Sequence, residues 1–173
     1  MDTPITIGIS ACLFGHNTRY DGGHRSEPLL IAALGQFVTL VPLCPEAECG
    51  LSIPREPMRL EGDSENPRLV TITTRCDLTE RMQTWATHRL ERFKDEGIGG
   101  LILKARSPSC CKQVAMPGQG ESASSPGLFA RACRQRFPGL PIADEEELRD
   151  PARLADFLQC IAAHCPDNHK EQR

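Results

Sequence analysis

The sequence contains no apolar run of the length that crosses a bilayer. Its first fifteen residues, MDTPITIGISACLFG, have an acidic second residue and lack the basic segment with which a signal peptide begins. These absences argue against a membrane protein or a secreted one. We therefore expect a cytoplasmic protein with no membrane partner.

The sequence also lacks any cluster of lysine and arginine, and its formal net charge is −3. Proteins that bind nucleic acid need such clusters to neutralise phosphates. The charge pattern argues against DNA as a partner and disfavours RNA. The sequence shows no internal repeat and no low-complexity segment, and it carries no signal of oligomeric state.

The nine cysteines do not form a plausible disulfide framework, because their number is odd and the expected compartment is reducing. The chain is 39% hydrophobic, so it can build an ordinary core without covalent cross-links. Some of these cysteines are therefore buried hydrophobic residues, and others are candidate metal ligands or nucleophiles. We expect Cys133 and Cys160, which fall within predicted helices, to be of the buried kind.

Predicted strands and helices alternate along the chain. The predicted strands cover residues 5–10, 37–43, 70–74, 100–105 and 140–143, and the predicted helices cover residues 27–34, 77–97, 127–137 and 150–164. This order is typical of a largely parallel sheet with helices on both faces. We predict a single three-layer α/β domain over residues 1–165, followed by a frayed tail at residues 166–173.

Three cysteines follow the predicted strands at the end where such sheets bind ligands. Cys12 lies just past the first strand, Cys44 directly follows the strand at residues 37–43, and Cys110 lies five residues past the strand at residues 100–105. Ligands of open parallel sheets bind beyond the carboxyl ends of the strands. If these strands are neighbours, three thiols converge at one edge of the sheet.

Three thiolates suit a soft metal centre with one position left open. Two centres compete: a zinc ion with a water in its fourth position, and an iron–sulfur cluster in which one iron has no protein ligand. Most clusters have four cysteine ligands, so a three-cysteine site would indicate chemistry at the cluster rather than electron transfer alone. Spacing alone also allows three unrelated thiols.

Other side chains near these thiols are candidates for catalysis and binding. Glu46 lies two residues after Cys44, where a carboxylate could activate water beside a metal. Ser107 lies three residues before Cys110, and its hydroxyl could orient substrate or water. The segment RYDGG offers side chains for a polar, planar ligand, namely Arg19, Tyr20 and Asp21.

Three segments in this order resemble a bacterial family of long unknown function that includes the thiouracil desulfidases. They are ISACLFGHNTRYDGG, VPLCPE with the later GL and PR, and KARSPSCC. The segment GLFARACRQRFPGLPIADEEEL is similar to the end of that family's domain, so the resemblance covers roughly residues 5–150. It implies an α/β domain that binds a four-iron, four-sulfur cluster.

The resemblance also assigns roles to individual residues. It implies that Cys12, Cys44 and Cys110 hold the cluster and leave one iron open, and that Glu46 and Ser107 are the catalytic pair. The implied reaction converts 4-thiouracil, or its nucleoside or nucleotide, to the uracil compound and hydrogen sulfide without net redox change. The open iron would act as a Lewis acid while Glu46 activates water.

The sequence departs from the family pattern at Cys49 and Cys111, where relatives usually have glycine. A fourth ligand from Cys49 would close the open iron and favour a sensor or an electron carrier. Cys111 is a poor extra ligand, because adjacent side chains tend to point apart.

Three alternatives remain from the residues. The first is a zinc hydrolase or deaminase, although CPE matches only half of the deaminase signature and the Pro-Cys-x-x-Cys half is missing. The second is a non-enzymatic iron–sulfur sensor or electron carrier. The third is a binding module without a metal.

Overall fold

A computed structural model of the protein describes residues 4–118 and 123–164. The predicted tail at residues 166–173 lies outside the described residues, as does Cys165. In the described part, the protein is an α/β domain of three layers, as predicted.

The central layer is a parallel sheet of four strands. Its strands are β1 (Ile5–Ser10), β2 (Val38–Leu43), β5 (Ile98–Leu103) and β8 (Ile142–Asp144). Their order across the sheet is β2-β1-β5-β8, and each neighbouring pair is parallel. The three strands that precede the cysteines are therefore neighbours, with β1 in the middle.

Helices cover both faces of this sheet. They are α1 (Pro28–Leu34), α2 (Pro45–Glu48), α3 (Thr79–Glu91), α4 (Leu128–Arg136), α5 (Glu145–Leu148) and α6 (Pro151–His164). Helices α1 and α6 pack on one face, where Leu34 and Phe157 meet Ile7 of β1 in one core. Helices α3 and α4 pack on the other face, where Leu90 and Phe129 belong to a second core.

A small second sheet lies beside the parallel one. The strand predicted at residues 70–74 exists as β4 (Arg68–Thr71), but it pairs antiparallel with β3 (Met58–Glu61), which the sequence did not predict. This hairpin buries Met58, Leu60 and Leu69 in a third core. A further pair of short strands, β6 (Val114–Ala115) and β7 (Ser124–Ser125), lies between residues 105 and 127, where no strand or helix is predicted.

No helix in the described part of the chain is long and apolar enough to span a bilayer. What matters for function is the carboxyl edge of the sheet. There the loops after β1, β2 and β5 meet the segment that leads into the β3–β4 hairpin, and a cavity opens between them.

Candidate active site at the carboxyl edge of the sheet

One cavity of about 440 Å³ brings together nearly all the residues predicted to be functional. The three predicted cluster ligands line it, together with Glu46, Ser107, Arg19 and Tyr20. The predicted convergence of thiols from three separate parts of the chain is therefore present in the structure. Asp21 is the one predicted site residue that does not line this cavity.

Backbone hydrogen bonds hold the first two thiols next to the sheet. The amide of Ala11 donates to the carbonyl of Leu43 at 2.7 Å, so the chain entering Cys12 continues the pairing of β1 with β2. Cys44 occupies the position before the first turn of α2, and its amide donates to the carboxylate of Glu48 at 2.9 Å. Both cysteines are thus fixed at strand ends rather than on a free loop.

The N-terminal end of α4 holds the loop that carries Cys110. The amide of Phe129 donates to the carbonyl of Ser109 at 2.7 Å, and the amide of Gly127 donates to the carbonyl of Cys111 at 2.9 Å. A methyl group on Gly127 would lie 2.7 Å from the backbone nitrogen of Cys110. Only glycine allows so close an approach, so this residue sets the position of the thiol.

Burial shapes the chemistry of these thiols. It raises the pKa of Cys12 to about 11, and the neighbouring Cys44 adds to the rise, whereas Lys104 and Arg19 oppose it. Burial also raises the pKa of Cys110 well above its usual range. A buried thiolate is stable only beside positive charge, which a bound metal centre supplies.

The arrangement of these donors tests which kind of centre fits. Among the residues that the structure describes, no three His, Cys, Asp or Glu side chains lie close enough together to hold a single metal ion. A zinc ion holds sulfur ligands about 2.3 Å away and so needs them in contact with one point. A cluster spreads its ligands over separate iron atoms, and three cysteines that line one cavity fit that demand.

The carboxylate of Glu46 is held from both sides. Arg55 donates to Oε2 from Nε at 2.6 Å and contacts the same oxygen through Nη2 at 2.5 Å. The hydroxyl of Ser109 donates to Oε1. Only 12% of the Glu46 side chain and 7% of the Arg55 side chain are exposed, so this ion pair is shielded from water and fixed in orientation.

The predicted catalytic serine, Ser107, contacts this carboxylate only through another serine. Its hydroxyl lies 3.0 Å from the hydroxyl of Ser109, and it accepts a hydrogen bond from the amide of Cys110 at 3.3 Å. Ser109 is only 1% exposed, whereas Ser107 is partly exposed. The three side chains therefore form one connected row along the cavity wall.

A mostly buried ion pair also contributes to the lining of the cavity. Lys104 lines the cavity and pairs with Glu145, which is 2% exposed and also accepts a hydrogen bond from the amide of Ala105 at 2.7 Å. The amide of Lys104 donates to Ser10 at 2.9 Å, and the Ser10 hydroxyl lies 3.6 Å from the sulfur of Cys110. The sheet end is thus tied to the thiol through Ser10.

The RYDGG segment forms part of the cavity rim. Arg19 lines the cavity, and its Nε donates a hydrogen bond to the carboxylate of Asp21 at 3.3 Å. The same carboxylate also accepts a hydrogen bond from the amide of Gly23. Tyr20 also lines the cavity, with 41% of its surface exposed, and its ring lies beneath the Arg19 guanidinium. In this arrangement Asp21 orients Arg19, while Arg19 and Tyr20 face the cavity.

The other cysteines lie elsewhere. Cys111 is fully buried and does not line the cavity, although it directly follows Cys110. The thiol of Cys49 donates to the carbonyl of Glu46 at 3.3 Å, and this residue borders a separate groove between the end of α2 and α3. Cys133 is buried as predicted, but the prediction for Cys160 is wrong, because α6 turns its side chain to solvent.

Sequence reasoning assigned no role to Arg55, Ser109, Ser10 or Lys104. All four stand in or beside the segments quoted above, since Arg55 is the arginine of PR and Ser109 is the second serine of SPSC. Their position in these segments indicates that they belong to the functional site. Their contacts, however, join residues up to 100 positions apart, and no local pattern reveals them.

Comparison with known proteins identifies the family of the chain. The family model described as 2-thiouracil desulfurase matches residues 7–145 of the chain. The chain belongs to this family. The match includes all three thiols and both residues of the predicted catalytic pair.

Two individual proteins are similar over most of their length. The uncharacterized protein YbbK of Bacillus subtilis (strain 168) is 31% identical over 151 residues, which cover 83% of this chain and 98% of YbbK. The solved structure of a [4Fe-4S]-dependent thiouracil desulfidase, TudS, is 30% identical with a TM-score of 0.64, and the match covers 87% of this chain and 97% of TudS. Family membership makes the protein an enzyme of the thiouracil desulfidase class, as the resemblance implied.

Proposed function

We propose that the protein removes sulfur from 4-thiouracil, or from its nucleoside or nucleotide, and releases the uracil compound and hydrogen sulfide without net redox change. The observation that carries this proposal is one cavity that joins three thiols from separate strand ends with an arginine-bound carboxylate. The similar TudS is [4Fe-4S]-dependent, which supports the same cofactor for this chain.

Three residues would hold the cluster, namely Cys12, Cys44 and Cys110. They are the described cysteines that line the cavity, and three ligands leave one of the four irons without a protein ligand. When bound, the cluster supplies a Lewis acid that binds the soft thiocarbonyl sulfur and withdraws electron density from the carbon. Cys49 does not line the cavity and borders the groove between α2 and α3, so it is not counted among the ligands.

Glu46 acts as the general base in this proposal. Arg55 keeps the carboxylate in one orientation, and Oε1, which accepts from Ser109, retains a lone pair that can accept a proton. A water that gives its proton to Glu46 attacks the thiocarbonyl carbon, and the proton then passes to the departing sulfide. Ser107 lies on the same wall, where it orients the water or the substrate.

The charges around the cavity favour an anionic substrate. Five cationic side chains line it, namely Arg19, Arg25, Arg55, Lys104 and Arg106. Four of them pair with carboxylates, which are Asp21, Glu46, Glu145 and Glu146 in the same order, so Arg25 carries the excess positive charge among the described residues. An excess of positive charge at a concave site concentrates anions. The nucleotide should therefore bind more tightly than the nucleoside, while Tyr20 offers a ring on which a pyrimidine can stack.

The test is sulfide release by anaerobically reconstituted protein, measured with 4-thiouracil, 4-thiouridine, its monophosphate and 2-thiouracil as separate substrates. We expect release from 4-thio compounds, and we expect Glu46→Gln to lower kcat by roughly 10²–10⁴-fold, the range of general base catalysis, while iron content stays unchanged. Glu91→Gln is the control, since Glu91 is an exposed glutamate at the end of α3 that does not line the cavity. A fully loaded wild-type protein that releases no sulfide from any of these compounds would contradict the proposal.

A further inference from the structure

Ser109 contacts both members of the predicted catalytic pair, Glu46 and Ser107. Ser109 is almost completely buried, at 1% exposure, in the loop that also carries Cys110, a predicted cluster ligand. Its hydroxyl donates to Oε1 of Glu46 and lies 3.0 Å from the hydroxyl of Ser107.

The direction of these hydrogen bonds follows from the chemistry of the groups. An ionised carboxylate can only accept hydrogen bonds, so Ser109 donates its single hydroxyl proton to the hydrogen bond with Glu46. Ser107 must then be the donor in its contact with Ser109, which fixes the order Ser107 to Ser109 to Glu46. Ser107 accepts from the amide of Cys110 and keeps one lone pair for a group in the cavity.

The other oxygen of the carboxylate cannot serve the same purpose. Oε2 of Glu46 already accepts from Nε of Arg55 and contacts Nη2 of the same guanidinium. Arg55 is fixed in turn, because it donates to the carbonyl of Thr18 at 2.7 Å. The ion pair therefore holds Oε1 toward Ser109 and leaves that oxygen to receive a proton.

We propose that Ser109 is a positioning residue that relays a proton from Ser107 to Glu46. A water bound at Ser107 gives its proton to the Ser107 hydroxyl, the Ser107 proton moves to Ser109, and the Ser109 proton moves to Oε1. The net change is one hydroxide at the cavity and one protonated Glu46, so charge and atoms balance. The reverse sequence returns the proton to the departing sulfide. This inference rests on the proposed function, because it describes how that reaction moves its proton.

If Ser109 relays a proton, kcat should depend on the deuterium content of the solvent differently than if Ser109 has only a structural role. Transfer through two hydroxyl groups moves several protons at once, so a plot of kcat against the deuterium fraction of the solvent should curve for the wild type. Ser109→Ala should lower kcat by about 10–100-fold, which is a smaller loss than removal of the general base itself causes. Its KM should stay within about twofold of the wild-type value. Its plot should be linear, and Ser109→Thr, which keeps the hydroxyl, should restore both rate and curvature.

The matched control is Ser125→Ala, since Ser125 is also 1% exposed but lies outside the cavity. It should reduce stability and leave kcat and the curved plot unchanged. Ser107→Ala, which breaks the row at its cavity end, should give the same linear plot as Ser109→Ala and serves if the latter does not fold. A linear plot for the wild type, or a curved one in Ser109→Ala, would overturn the relay.

A spectroscopic measurement separates this inference from the proposed function. Infrared difference spectra of loaded protein, with Glu46→Gln to identify the band, report the carboxylate stretch of Glu46 without any turnover. If Ser109 donates to Oε1, Ser109→Ala shifts this band and Ser125→Ala does not. An unshifted band refutes the relay even if sulfide is released, whereas a shifted band in a protein that releases no sulfide refutes the proposed function alone.

Discussion

Cys110 and Cys111 are neighbours in the chain and are both buried, yet they belong to different regions of the molecule. Cys110 lines the cavity at the carboxyl edge of the sheet, whereas Cys111 packs away from it. The same contrast separates Cys12 and Cys44 from Cys133, which lies in the core between α4 and the sheet. Burial therefore does not identify a functional thiol here, and the surface that the thiol faces does.

The contrast is sharpest when each thiol is removed in turn. Cys12→Ala, Cys44→Ala and Cys110→Ala should each lose most of the bound iron, because a cluster that already lacks one ligand would keep only two. Cys49→Ala and Cys111→Ala should keep the iron content of the wild type. The measurement is iron and acid-labile sulfide per chain after anaerobic reconstitution. Iron loss in Cys49→Ala or Cys111→Ala would break the division between the two regions.

A smaller effect should follow when the support of the cavity loop is disturbed. Gly127→Ala places a methyl group 2.7 Å from backbone atoms of Ser109 and Cys110, so the loop must move. We expect a loss of about 1–3 kcal/mol in the free energy of unfolding, as for other overpacked sites, together with reduced iron content. Thermal unfolding and iron analysis measure the two effects.

Gly139→Ala is the control for this substitution, because its methyl group would meet only the ring of His164, at 3.3 Å. It should leave iron content unchanged. If Gly127→Ala retained full iron and full stability, the helix α4 could not be what fixes Cys110.

The smallest expected effects concern cysteines away from the cavity. Cys111→Ala removes a buried sulfur and should lower the free energy of unfolding by about 1–2 kcal/mol, while Cys160→Ala, at the surface, should change it by less than about 0.5 kcal/mol. Urea unfolding of the loaded protein measures both. A larger loss in Cys160→Ala would show that this side chain is covered in solution.

The parallel sheet and the meeting of the three thiols could be predicted because both depend on local pattern and a general rule. The strand at residues 5–10 has the same bounds in the structure, and ligand sites of such sheets lie at the carboxyl edge. The prediction for Cys160 failed because burial on a helix follows its period. Phe157 and Ile161, four residues apart, mark the buried face of α6, and Cys160 lies off it.

The β3–β4 hairpin and the contacts of Glu46 could not be predicted in the same way. The strand Met58–Glu61 is short and half charged, and it becomes a strand only by pairing with Arg68–Thr71 and covering a separate core. Ser109 reaches Glu46 across 63 positions of the chain. Such contacts depend on how the loops fold over the sheet edge, which periodicity does not encode.

The most direct test of the account is Mössbauer spectroscopy of protein reconstituted with iron-57, before and after addition of 4-thiouridine monophosphate. Three cavity thiols predict one iron site that differs from the other three and that alone shifts when the substrate binds. Four equivalent irons whose spectrum does not respond to the substrate would contradict the claim that the three thiols leave one iron open.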